Sequence, residues 1–106
     1  MILATTEHIP GKRIVKTLGL VKGNTIRSRH VGHDLMAALR GLVGGEVREY
    51  TKMMAEAREQ ALDRLVLDAE SAGANGIVGL RLTTASMMQG AAELLAYGTA
   101  VIVEDE

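Results

Sequence analysis

The segment at residues 94–103, Leu-Leu-Ala-Tyr-Gly-Thr-Ala-Val-Ile-Val, is apolar on both of the faces that a β-strand presents. Successive side chains of a strand point to opposite sides of the sheet. Leu95, Tyr97, Val101 and Val103 therefore share one face, and Leu94, Ala96, Ala100 and Ile102 share the other. Residues 12–22 behave similarly: Ile14, Leu18 and Leu20 fall on one parity, Val15, Thr17 and Val21 on the other. That segment is rich in β-branched residues and is expected to close at Gly23-Asn24, with 25–29 a continuation beyond the turn. Residues 77–84 read as a further strand. The link at 87–92 predicts an antiparallel hairpin between it and the last one. Residues 1–5 are apolar enough for a short strand ending before Pro10-Gly11, the clearest turn signal in the chain.

Helices must cover these strands, and the sequence offers two. Apolar residues at Val47, Tyr50, Met54, Ala57, Ala61, Leu65, Ala69 and Ala72 step by three or four, which predicts an amphipathic helix over 46–72. Its other side carries Lys52/Glu56 and Arg64/Asp68 at a spacing of four, suited to a solvated surface. Gly73 is its natural left-handed cap. Leu35, Met36, Leu39 and Leu42 predict a shorter helix over 34–42, and the glycines at 41, 44 and 45 a tight helix–helix turn. The expected fold is α+β and two-layered: an antiparallel sheet of three to four strands with one long and one short helix on one face. At 106 residues, 1–106 is one domain.

Nothing in such a chain is left for the second apolar face. Leaving it bare would expose more than the few hundred Å² that a monomer tolerates. Covering ~600 Å² per subunit would contribute on the order of 15 kcal/mol before the costs of association. The chain is therefore expected to work as a homo-oligomer, a closed ring in which sheets of neighbouring subunits meet. With no Phe, no Trp and two Tyr, its aliphatic core leaves little surplus stability without such contacts.

Twelve basic and thirteen acidic residues give a net charge of −1 without charge blocks. A nucleic-acid partner would call for a clustered basic surface and aromatic platforms, so none is expected. The absence of Cys excludes disulfides and thiolate chemistry. With no run of ~18–20 apolar residues and no basic, apolar leader, no membrane partner is expected, and the protein is expected in the cytoplasm.

Several segments in order resemble the YbjQ family of small bacterial and archaeal proteins. They are Gly19 and Gly23 before Arg27-Ser28-Arg29-His30; Gly44-Gly45-Glu46 leading to Tyr50-Thr51; Ala57-Arg58-Glu59-Gln60-Ala61; Gly73-Ala74-Asn75-Gly76-Ile77-Val78-Gly79; and Tyr97-Gly98-Thr99-Ala100-Val101. The resemblance implies a dodecin-like subunit, a homopentamer, and a family described as heavy-metal-binding. Cysteine ligands of the kind some relatives carry are missing here.

Three groups of residues are candidate sites. Arg27 and Arg29 near a helix start could hold a carboxylate or phosphate, or pair with Glu46 or Glu93 across a subunit interface. Arg81 and Glu93 interrupt otherwise apolar strands and must be paired if buried; with Tyr97 they would line a surface where subunits meet. His30, His33 and Asp34 could give imidazole and carboxylate ligands to a divalent metal such as zinc or nickel, completed by other copies around an axis. The loop at 41–46 lacks the Lys-Ser or Lys-Thr of a phosphate loop. Met87-Met88 is better explained by packing than by ligation of a soft ion. Ser28, Ser71 and Ser86 have no activating context. The sequence favours a non-enzymatic ring that binds a small ligand or ion at subunit interfaces. The alternatives are a purely structural or partner-binding oligomer and an enzyme with an inter-subunit site.

Overall fold

The computed structural model describes residues 1–28, 45–88 and 91–106, and the side chains of 1–27, 52–85 and 92–106. The expected helix at 34–42 and most of the turn after it lie outside these residues. The elements are β1 (Ile2–Leu3), β2 (Lys12–Ser28), α1 (Gly45–Ser71), β3 (Gly76–Met88) and β4 (Ala91–Asp105). They form one four-stranded sheet in the order β1-β3-β4-β2. β4 is antiparallel to both neighbours, as the hairpin reading requires, but β1 runs parallel to β3. The sheet is therefore mixed, not antiparallel. Short strands at the chain start can pair with β3 in either sense, and the local sequence carries no signal for which.

α1 ends as its sequence predicts. Gly73 has φ +86°, and its N–H donates to the Glu70 carbonyl at 3.0 Å while that of Ala74 donates to the Ala69 carbonyl at 3.0 Å. These are the paired bonds of a Schellman cap. Ala57, Ala61, Leu65 and Ala69 are wholly buried on one stripe of α1, against Val21, Ile77, Leu80, Leu94, Ala96 and Ala100. Small residues on both sides let the helix backbone approach the sheet closely. Thr25 is buried in this layer and its hydroxyl is satisfied by donation to the Ala57 carbonyl at 3.2 Å.

That close approach explains Gly23. The strand does not turn at Gly23-Asn24; β2 continues unbroken to Ser28. A Cβ at Gly23 would lie 2.7 Å from the Arg64 carbonyl carbon and closer still to the backbone of Ala61 and Leu65. The residue is glycine because a helix passes over it. β3 and β4 likewise outrun the expected link, so residues 87, 88, 91 and 92 lie in strands.

The second face is not bare throughout. Val78, Val101 and Val103 form a separate buried cluster with Ile2, Ile9 and Ile14. Ala100 belongs to the helix-side core and Val101 does not, so this cluster lies on the opposite face. The segment between β1 and β2 joins strands at opposite edges of the sheet, and Ile9 packs there. The irregular alternation of β2 also has a local cause. Register shifts between Ile14 and Lys16 and between Thr17 and Gly19 flip the parity, which puts Ile14 on the second face and Leu18 on the helix side.

Candidate functional site

Beyond Val101 no packed cluster covers the second face of the sheet among the described residues, and the side chains on it follow from register. Tyr97 of β4 is paired with Lys22 on one side and Arg81 on the other. Directly paired residues share a face, so the phenol sits between two cations. The next rung is Asn24, Leu95 and Thr83, and the one after it Ile26, Glu93 and Ala85. Arg81, Glu93 and Tyr97 thus share one face of the sheet. Lys22 and Asn24 complete it; the alternation Leu20-Lys22-Asn24-Ile26 was the signal for them.

The polar groups here are partly engaged. Asn24 donates through Nδ2 to Glu93 Oε2 at 3.0 Å. Arg81 donates through Nη1 to the carbonyls of Thr5 at 2.7 Å and Leu80 at 2.8 Å, which ties the segment after β1 to β3 while the side chain stays exposed. Tyr97 is half-buried. Two large apolar side chains flank the group: Leu20 is 72% exposed and Ile26 52%.

Arg27 belongs elsewhere. It neighbours Ile26 on β2 and so faces the helix side, where Nη2 donates to Gln60 Oε1 at 2.8 Å. Glu93 of the same chain shares the face of Ile26 and so lies on the other side of the sheet from Arg27; the expected pairing is with Glu46 or Glu93 of another subunit. Glu46 lies in the first turn of α1, and its side chain is outside the described residues. Arg29, His30, His33 and Asp34 are also outside them. Among the described residues no three His, Asp or Glu side chains gather to hold a metal ion. With no Cys in the sequence, a thiolate set for a soft metal does not fit this chain.

The outer edge of β2 is capped by side chains of its own helix. The Lys22 N–H donates to Asp68 Oδ2 at 3.0 Å, and Arg64 Nη1 donates to the Asn24 carbonyl at 2.5 Å. At the opposite end of β2, Lys12 pairs with Asp105, and Arg13 Nη2 with Glu104 Oε2 at 3.2 Å. The hydrogen bond from Lys12, aided by its charge, holds the Asp105 carboxyl below its ordinary pKa.

Residues 1–104 match the model of the YbjQ family, described as "Putative heavy-metal-binding". The chain belongs to that family. It is 57% identical over 104 residues to a UPF0145 protein of Dehalococcoides mccartyi, covering 98% of this chain and 100% of the relative. A UPF0145 protein of Clostridioides difficile is 56% identical over 106 residues, covering 100% of this chain and 95% of the relative. One from Methanosarcina acetivorans is 56% identical over 101 residues, covering 95% of each. A crystal structure of a DUF74-family protein of unknown function from Pediococcus pentosaceus superposes with TM-score 0.65 over 98% of each chain at 17% identity, a likeness of fold alone. Among the described residues no helix is long and apolar enough to cross a membrane.

Proposed function

We propose that this YbjQ chain is the subunit of a closed homo-oligomer, a pentamer by its family resemblance, in which a neighbouring copy covers the open half of the sheet. The observation that carries this is the exposure of Leu20 and Ile26 beside the Lys22–Tyr97–Arg81 rung, on a face whose other half is closed by the chain itself. Exposed apolar residues grouped with amphipathic and charged ones mark association surfaces. The same rung, with Glu93, offers two cations, a phenol and a carboxylate for a small ligand at the junction. Sedimentation velocity at micromolar chain concentration tests the assembly: a mass of five 11.3-kDa chains is expected, and a monomer overturns it.

The family description adds a metal reading, which in this chain rests on His30, His33 and Asp34. Elemental analysis of untagged protein is expected to find a stoichiometric divalent metal that H30A/H33A loses. Equal trace amounts in both would dismiss that reading.

A further inference from the structure

The outer stripe of α1 has a composition that suits the open sheet face. Glu56, Glu59, Asp63, Leu67 and Glu70 follow at spacings of three and four, so they share one side of the helix. That side lies away from the buried stripe of Ala57, Ala61, Leu65 and Ala69, and all five residues are exposed, Leu67 by 61%. Asp63 and Glu70 therefore flank Leu67 on this side, Glu59 and Glu56 follow toward the helix start, and Lys52 lies one turn beyond them. The sheet face has the inverse arrangement, with Lys22 and Arg81 beside Leu20, Leu95 and Ile26, and with its carboxylate, Glu93, already bonded to Asn24.

Charge then discriminates between ways of assembling. Two sheet faces brought together would set Lys22 and Arg81 against their own copies, and two helix stripes would set acids against acids. A contact of unlike faces avoids both. The dimensions agree: Lys22 and Arg81 stand on strands separated by β4, about 9–10 Å apart across the sheet, and a helix with its side chains is about 10 Å wide.

We propose that copies of this chain associate head to tail, the acidic outer stripe of α1 on one seated on the Lys22–Tyr97–Arg81 face of the next. Leu67 packs on the apolar side chains beside the Tyr97 rung, and Glu59 and Asp63 face Lys22 and Arg81. Each copy presents both surfaces, so the contact is heterologous and closes into a ring if the rotation per subunit allows. The inference rests on the oligomer reading and supplies its geometry: a helix covers the open face, not a second sheet.

The test is a charge exchange followed by sedimentation velocity, with circular dichroism to check folding. All four positions are exposed, so the variants are expected to fold. K22E/R81E and E59K/D63K are each expected to lose assembly, and the four-fold variant that combines them is expected to regain it. Full assembly of E59K/D63K overturns the helix-to-sheet contact, as a sheet-to-sheet interface would leave it intact. A folded four-fold variant that stays dissociated also overturns it. A monomeric unsubstituted protein is a different result, and removes the oligomer reading together with this one.

Discussion

The two halves of the sheet are built from the same strands and differ in what covers their second face. In the half that holds Val78, Val101 and Val103, the chain closes both faces: α1 on one, Ile2, Ile9 and Ile14 on the other. In the half that holds Tyr97, Leu95 and Glu93, the described residues close only the helix side, and Leu20 and Ile26 are exposed. The ends are secured differently too. The closed half is tied by Asn75, which donates through Nδ2 to the Val103 carbonyl at 2.9 Å and accepts from the Val103 N–H at 2.8 Å. That side chain acts as one more rung of strand. In the open half the helix secures β2 from the side, through Asp68 and Arg64. A sheet apolar on both faces need not be covered by one device; here the N-terminal segment serves one half, and the other is the surface proposed to receive a second copy.

The largest effect that sharpens this comparison is expected where α1 serves both halves. Leu65→Ala empties a fully buried site and should cost about 3–4 kcal/mol in denaturant unfolding, as buried leucine truncations do. Gly23→Ala should cost about 3 kcal/mol, because its Cβ meets helix backbone that no side-chain rotation can clear. A cost under about 1 kcal/mol would mean that α1 does not press on β2 there.

A pair of substitutions on the second face tests the halves against each other. In the dissociated K22E/R81E background, Val101→Ala should cost about 2 kcal/mol, since Val101 is 1% exposed. Leu20→Ala on the same face should change stability by less than about 0.5 kcal/mol. Equal costs would break the distinction drawn between closed and open halves. Asn75→Ala removes both bonds to Val103 and should cost about 1–3 kcal/mol, with faster amide exchange at Val103.

The smallest effect lies at the tip of the closed half. The folded pKa of Asp105 is depressed by Lys12, so its contribution is present above the ordinary carboxylate value and is lost as pH falls through the lower folded one. The pair is exposed and screened, so the change in stability is small. A carboxyl NMR titration should show the Asp105 midpoint rise in Lys12→Met; an unmoved midpoint would remove the pair from the account.

How legible the candidate site was depended on the distance over which its members are related. Arg81, Glu93 and Tyr97 were legible as polar interruptions of apolar strands. Their union with Lys22 was not, because it needs β2 to lie beside β4 in one register. Arg27 was expected to hold an anion with Arg29 or to pair with Glu46 or Glu93 of another subunit, and strand parity places it on the face opposite Glu93 of its own chain. A one-residue offset reverses a side chain's face, and no composition argument detects that.

By itself the sequence determined the span and cap of α1, the three long strands and the presence of apolar residues on both of their faces. Those are local properties: a 3.6-residue period, a glycine able to take positive φ, and β-branched runs. Only the tertiary structure decided that β1 runs parallel to β3, that bulges in β2 reverse its parity, and that Gly23 marks a helix crossing. It also showed that the first fourteen residues close half of the second face. Each of these depends on which distant backbone lies alongside, and the free energy of such pairing is set by packing between segments that the local pattern cannot relate.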